Sequence, residues 1–137
     1  MQEAKTLIAV TLTFLLAACS STPTWEGMSE AEIASWQRQG VAADWAQTLS
    51  AAGVDASGYE SWTDAGIASG EAILLWLGEG FAADAAGAWN AAGFEARTAR
   101  QWSEKAFTAE QAKRWMTAGF DLRDAIKQRA KGLAPIS

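Results

Sequence analysis

The hydrophobic positions along most of the chain repeat with a period of thirteen residues. Six tryptophans mark the period, at spacings of 26, 14, 13, 13 and 13 residues: Trp36, Trp62, Trp76, Trp89, Trp102 and Trp115. Leu49 lies in the middle of the 26-residue interval, and we call these seven positions the Trp slot. No segment sustains the alternation of apolar and polar residues that predicts a β-strand. A fixed period of this kind indicates a tandem repeat.

A glycine and then an apolar residue follow the Trp slot by four and five positions. The pairs are Gly40-Val41, Gly53-Val54, Gly66-Ile67, Gly80-Phe81, Gly93-Phe94 and Gly119-Phe120, with Ala106-Phe107 after Trp102 and the same phase at Gly27-Met28 and Gly132-Leu133. Many helices end with a left-handed glycine at C′, and in the Schellman motif the next residue, C″, contacts C3. The spacing therefore predicts that the Trp slot is C3 of a helix. At Ala106 a left-handed turn would cost ~1–2 kcal/mol.

A new helix is predicted to begin directly after each of these turns. Residues that cap helices well follow four turns: Ser29, Asp55, Thr108 and Asp121. Poor caps follow three others: Ala42, Ala82 and Glu95. Ser29 with Glu32 and Thr108 with Gln111 have capping-box spacing. One extra residue between Gly66 and Gly80 is expected to be absorbed near Ser69-Gly70.

The fold class that follows is all-α, a tandem array of about eight short helices. The predicted helices span 30–39, 43–52, 56–65, 70–79, 83–92, 96–105, 109–118 and 122–131. Isolated helices this short are unstable in water, so packing must stabilise them. We expect a solenoid-like stack with contacts mostly between neighbouring helices, or else a compact globule.

The eight tryptophans allow two interpretations, core packing and a ligand platform. The six at the Trp slot are predicted to fill the core, because they occupy the cap-contact position of each repeat. Trp25 and Trp45 lie outside the slot and are candidate binding residues for an envelope glycan. Trp25 either closes the first repeat or lies at the lipid interface, where tryptophan is favoured.

The N-terminus has the layout of a secretory signal peptide over residues 1–18. An apolar run from Leu7 to Ala18 follows Lys5, and it is shorter than the ~20 residues that span a membrane. It ends in Leu16-Ala17-Ala18-Cys19, which resembles the lipobox of bacterial lipoproteins. The alternatives are an ordinary signal peptide with a chance cysteine, or a buried cysteine in an apolar helix.

The resemblance implies that Leu16, Ala17 and Ala18 are read by a signal peptidase, that the chain is cut before Cys19, and that Cys19 carries acyl chains. Several chains on one residue satisfy the need for two membrane signals. In Gram-negative members of the class, Ser20 at the next position implies transfer to the outer membrane, facing the periplasm. Residues 19–25 are then a polar tether, 26–133 a helical repeat domain and 134–137 a tail.

Composition narrows the chemistry. The chain has one Cys and no His, so a disulfide framework, Ser-His-Asp and Cys-His catalysis and His-based zinc sites are excluded. Carboxylate pairs are better explained as helix-start charges, and no phosphate loop or nucleophile elbow is present. We therefore predict no catalytic residues, no cofactor and no metal. A net charge of −5 argues against nucleic acid as a partner.

The charge is divided along the chain. Residues 19–96 carry eleven acidic side chains and one basic, a net −10, whereas residues 97–137 carry nine basic and four acidic, a net +5. The basic end contains Lys113, Arg114, Arg123, Lys127, Arg129 and Lys131. This end is a candidate surface for an anionic partner, namely peptidoglycan, lipid headgroups or an acidic protein. Head-to-tail self-association and an uneven solvated surface are the alternatives, and the oligomeric state stays open.

Together these patterns predict a lipid-anchored envelope lipoprotein whose non-catalytic helical repeats bind or scaffold proteins. The alternative function is a lipoprotein that binds glycan or peptidoglycan through exposed tryptophans or the basic end.

Overall fold

The computed structural model describes residues 24–135, and over this range the chain is all-α, without strands. The helices are α1 (Glu30–Arg38), α2 (Ala43–Ala51), α3 (Ala56–Asp64), α4 (Gly70–Gly78), α5 (Ala83–Ala91), α6 (Ala96–Glu104), α7 (Ala109–Thr117) and α8 (Leu122–Ala130). The predicted array is confirmed. Each helix begins at the predicted residue and ends one residue earlier, because the last predicted position is the C-cap.

Side-chain caps begin five of these helices. Each cap oxygen accepts from the backbone N–H three residues later: Ser29, Asp55, Ser69, Thr108 and Asp121. Both predicted capping boxes are formed. The extra residue precedes α4, where Ser69 is the cap. Helices α2, α5 and α6 begin without a side-chain cap, which agrees with the poor capping residues there.

All eight helices end in the predicted Schellman motif. The C″ N–H donates to the carbonyl of C3 at 2.8 to 3.2 Å, as from Val41 to Trp36. The C′ N–H donates to C2, as from Gly40 to Gln37. Ala106 adopts φ 60°, so the left-handed turn forms there without glycine. Local spacing alone therefore specifies these turns.

The Trp slot forms the core. Its seven residues are 0 to 5 % exposed, and the fourth residue of α2, α4, α5, α6, α7 and α8 is fully buried beside them. Tryptophan and the following C″ phenylalanine meet edge to face, with ring centroids 5.1 Å apart for Trp89 and Phe94. Edge-to-face geometry is the favourable arrangement for aromatic pairs. Core packing of the six slot tryptophans is thus confirmed.

The helices stack in two rows in the first part of the array. Helix α1 packs on α3, α2 on α4, α3 on α5 and α4 on α6, whereas α5 through α8 pack consecutively. The expectation of contacts mostly between neighbours is therefore wrong for α1–α4. Close approach explains the second-neighbour packing, because a Cβ at Gly87 of α5 would lie 2.9 Å from Ala65 Cβ at the end of α3.

Candidate functional site

An open groove crosses one face of the array from α4 to α8. It comprises three cavities of about 550, 510 and 740 Å³. Phe94 and Glu95 line the first and second, and Thr98 and Met116 line the second and third. Because consecutive cavities share walls, we treat them as one surface and call it the α4–α8 groove.

The first and third cavities are lined by equivalent residues that lie two repeats apart in the sequence. Lining residues correspond at a separation of 26: Ala72 with Thr98, Leu75 with Gln101, Trp76 with Trp102, Asn90 with Met116, Glu95 with Asp121, Ala96 with Leu122, and Arg97 with Arg123. The groove is therefore a repeated feature of the stack.

The indole of Trp45 lies at the preceding equivalent position. Trp45 is the third residue of α2, as Ala72 is of α4 and Thr98 of α6. Its ring lies against Gly70, where a Cβ would be 2.7 Å from Trp45 Cζ3. A side chain at Gly70 would thus displace the indole. In α4 and α6 the third residues are the smaller Ala72 and Thr98, and the residues equivalent to Gly70 are Ala96 and Leu122, which carry side chains.

Two of the four large exposed hydrophobic side chains in the described range, Leu75 and Met116, line the groove. Leu75 is 66 % exposed, Met116 50 % and Trp45 37 %, while Leu133 lies beyond the end of α8. The partly buried side chains of Leu122 and Ile126 extend the apolar floor at the α8 end. Isolated exposed hydrophobics are ordinary, but an aligned apolar strip marks an interaction site.

Acidic and basic side chains line both ends of the groove. Arg97 lies in the α4-end cavity together with Glu79 and Glu95. At the α4 end lies Glu79, which pairs with Arg100 at 3.4 Å. Arg100 also donates to Glu104, and these bonds, that to Glu104 foremost, raise the pKa of its guanidinium. The α7–α8 end has three basic side chains on the rim: Lys113, Arg123 and Lys127. Asp121 lies 4.0 Å from Arg123 and offsets part of that charge.

Arg129, one of the predicted basic residues, binds the turn after α6 and does not line the groove. Its Nη2 donates to the carbonyl of Lys105 at 2.7 Å and its Nη1 to that of Ala106 at 3.4 Å. The guanidinium carbon lies 3.9 Å from the ring centroid of Phe107. Arg129 therefore stabilises the turn between α6 and α7 by hydrogen bonds and a cation–π contact.

Two further predicted basic residues, Arg114 and Lys131, do not line the groove. Arg114 pairs with Glu110 within α7 at 2.5 Å, and Lys131 is the C-cap of α8. The other three predicted residues, Lys113, Arg123 and Lys127, line the groove.

The two tryptophans outside the slot, Trp25 and Trp45, differ in their contacts and exposure. Trp25 is partly buried against the core, and its carbonyl accepts from Met28 N–H at 3.2 Å. Gln47 of α2 donates to the carbonyls of Thr24 and Glu26 on either side of it. Trp25 thus closes the first repeat. Trp45 is the one exposed tryptophan of the eight, so they form no exposed row for stacking on a glycan.

The residues that form the groove floor were missed at the sequence level. A signal was present in the aligned repeats. Leu75 is the sixth residue of its helix, where the other helices have Ser35, Thr48, Ser61, Ala88, Gln101, Arg114 and Lys127. Met116 similarly stands where Gln37, Ser50 and Asn90 occur, although α4 has Leu77 at this position. Leu75 is therefore the clearer signal of the groove.

Within residues 24–135, no group of three or more His, Cys, Asp or Glu side chains is placed to hold a metal ion. No helix in the same range has the length and apolar character to cross a bilayer. Cys19 and the lipobox residues Leu16, Ala17 and Ala18 lie outside the described residues.

No protein-family model, curated protein or solved structure matches the chain.

Proposed function

We propose that the protein is a lipid-anchored lipoprotein of the bacterial envelope whose helical array binds another protein and catalyses no reaction. The α4–α8 groove is the observation that carries the binding function, because it combines an apolar floor with a charged rim. Such a combination is typical of protein-recognition surfaces. The lipobox resemblance of Leu16-Ala17-Ala18-Cys19 supports the anchor.

The rigidity of the array suits a scaffold. Each helix is nine residues long and ends in a Schellman motif, and six of the eight pack through a buried tryptophan. Short turns between such helices leave the surface residues little freedom. A preorganised groove binds a partner with less entropic cost than a flexible surface does.

Acylation of Cys19 is tested by metabolic labelling. Cells expressing the full chain are grown with labelled palmitate, and Cys19→Ala is compared with the neighbouring Ser20→Ala as a matched control. We expect label and membrane fractionation for the wild type and Ser20→Ala, and loss of both for Cys19→Ala. A labelled, membrane-bound Cys19→Ala chain would refute the lipid anchor.

Outer-membrane sorting is tested separately in a Gram-negative host. Ser20→Asp is expected to shift the labelled chain to the inner membrane on a density gradient. An unchanged distribution would show that Ser20 does not direct sorting.

A further inference from the structure

We propose that the exposed face of α8 binds the exposed face of α3 in a second copy of this chain. Basic side chains of one copy pair with carboxylates of the other. The inference goes beyond the proposed function, because the partner in this contact is the chain itself and not a different protein.

The exposed face of α8 is basic. Its exposed residues recur at helical spacing: Arg123, Lys127, Ala130 and Lys131. Ala125 marks the opposite, fully buried side of the helix. Asp121 lies 4.0 Å from Arg123 and offsets part of its charge, whereas Lys127 and Lys131 take part in no ion pair within residues 24–135. The unpaired positive charge therefore lies in the second half of this face.

The exposed face of α3 is acidic. Four exposed residues at the spacing of one helix face form it: Ser57, Glu60, Ser61 and Asp64. Neither carboxylate takes part in an ion pair in the described part of the chain. Arg38 of α1 lines the same cavity, but its guanidinium donates to the Ala34 carbonyl at 3.3 Å and to Ser35 Oγ at 3.0 Å. The two carboxylates can therefore accept a cation from outside the chain.

Comparison with α6 shows what the carboxylates of α3 lack. Arg100 and Glu104 are the fifth and ninth residues of α6, and they pair with each other at 2.8 Å. Glu60 and Asp64 are the fifth and ninth residues of α3. Like charges one turn apart repel each other, and the helix dipole disfavours an anion in the last turn. Cations supplied by a second molecule relieve both effects.

The spacing of the charges matches between the two faces. Glu60 and Asp64 are four residues apart, and so are Lys127 and Lys131. In both cases the separation along the helix axis is about 6 Å. Two helices that lie side by side can therefore pair both carboxylates with both ammonium groups. A network of this kind is worth more than isolated exposed ion pairs, which contribute little.

A second copy is the occupant whose complementary surface is present in the chain itself. In the described range, Glu60 and Asp64 are the only carboxylates that lie one turn apart inside a helix. No ion pair joins the faces of α3 and α8 within one chain over the same range. Complementary charge fixes the register of such a contact and accelerates encounter. The proposed anchor enters only by concentrating copies on one membrane, which favours a contact made mainly of exposed charges.

Photo-crosslinking of the full-length chain in its native envelope tests the contact. Photoreactive p-benzoylphenylalanine replaces Ser61 of the α3 face or Ala130 of the α8 face, in cells that also express a second copy with a different tag. The control position is Ser50, an exposed residue of α2. Crosslinked peptides are mapped by mass spectrometry.

We expect adducts at Ser61 to fall on α8 of the other copy and adducts at Ala130 to fall on its α3, both above the Ser50 level. Self-adducts no more abundant than at Ser50 overturn the proposal. Adducts formed instead with another protein, with lipid or with glycan overturn it as well.

Charge reversal tests the pairing itself. Two double variants are made: Glu60→Lys/Asp64→Lys and Lys127→Glu/Lys131→Glu. Each should lower the yield of self-adducts at Ser61 by about tenfold, because like charges then face each other. The chain with all four substitutions pairs opposite charges again, and its yield should return to within about twofold of the wild-type yield. Loss in only one double variant, or no recovery with all four substitutions, refutes the pairing.

A matched control separates pairing from net charge. Glu71→Lys/Asp84→Lys makes the same change in net charge as the α3 variant, at exposed positions of α4 and α5. Its self-adduct yield should equal that of the wild type. An equal fall in the control and the α3 variant would show that the yield follows net charge, and it would overturn the proposal.

Palmitate labelling of the same cells separates this inference from the proposed anchor. A labelled chain without self-adducts refutes the contact between copies and leaves the anchor intact. Self-adducts on an unlabelled chain refute the anchor and support the contact.

Discussion

The turn after α5 and the turn after α6 have the same geometry but different residues at C′. In the first, Phe94 N–H donates to Trp89 at 3.0 Å and Gly93 has φ 87°. In the second, Phe107 N–H donates to Trp102 at 3.2 Å and Ala106 has φ 60°. A Cβ in the left-handed region costs about 1–2 kcal/mol, so the second turn carries strain that the first lacks.

The strained turn has a compensating contact from a distant helix. Arg129 of α8 donates to the carbonyls of Lys105 and Ala106 and stacks on Phe107. These carbonyls stand at the end of α6, where the helix dipole also favours a cation. The comparison teaches that a repeat can lose its glycine where another element supplies a ligand for the helix end.

The largest expected effect on stability comes from removing the tryptophan at C3 of each turn. Trp89→Ala and Trp102→Ala should each lower the free energy of unfolding by ~3–5 kcal/mol, because both rings are buried. Urea denaturation followed by circular dichroism measures the loss, with Ser57→Ala as the exposed control. A loss below ~1 kcal/mol at either position would contradict equal core roles for the two turns.

Exchanging the C′ residues tests the strain directly. Gly93→Ala should destabilise by about 1–2 kcal/mol through backbone strain alone, since a Cβ there meets nothing within 4 Å. Ala106→Gly should stabilise by about 0.5–1 kcal/mol, because relief of strain exceeds the added entropy of the unfolded chain. Thermal unfolding compares both variants with the wild type, and shifts of the same sign would refute the strain difference.

Removal of the compensating cation should have a smaller effect. Arg129→Met keeps much of the stem but loses the hydrogen bonds and the cation–π contact, and we expect a loss of about 0.5–1 kcal/mol. In the Ala106→Gly background the loss should shrink if Arg129 offsets the alanine strain. A double-mutant cycle measures this coupling, and additive effects would show that the two residues act independently.

The smallest expected effect on stability comes from the helix starts, where some helices have a side-chain cap and others have none. Ser29 and Glu32 cap α1, while Ala42 leaves α2 without a side-chain cap. The bond from the Ser29 hydroxyl, followed by the bond from its backbone N–H, lowers the pKa of Glu32 below 4.5.

Because this pKa is lower in the folded state, the contribution of Glu32 is present above pH 4.5 and is lost as the pH falls through the folded value. Unfolding titrations of the wild type and Glu32→Gln should therefore differ most above pH 4.5 and converge in acid. A difference independent of pH would contradict an ionised capping box. Ala42→Ser, which adds a cap to α2, is the matched comparison.

Much of the fold could be predicted because contacts between residues close in sequence specify it. The Trp-slot spacing, the glycine at C′ and the caps at Ser29 and Thr108 each act within a few residues, so helix bounds follow from them. The candidate site was predicted in part: Arg123 and Lys127 line the groove, whereas Arg129 serves a turn. The apolar floor at Leu75 and Met116 was missed, because its residues come from different helices.

The eight helices, their boundaries and the burial of the slot tryptophans follow from the sequence, because hydrogen bonds and cap contacts between nearby residues specify them. Which helices stack on one another depends instead on contacts between distant residues. Second-neighbour packing depends on close approaches such as Gly87 on Ala65, which no local period encodes. The tertiary structure also brings residues of α4 to α8 together in one groove, in which consecutive cavities share lining residues.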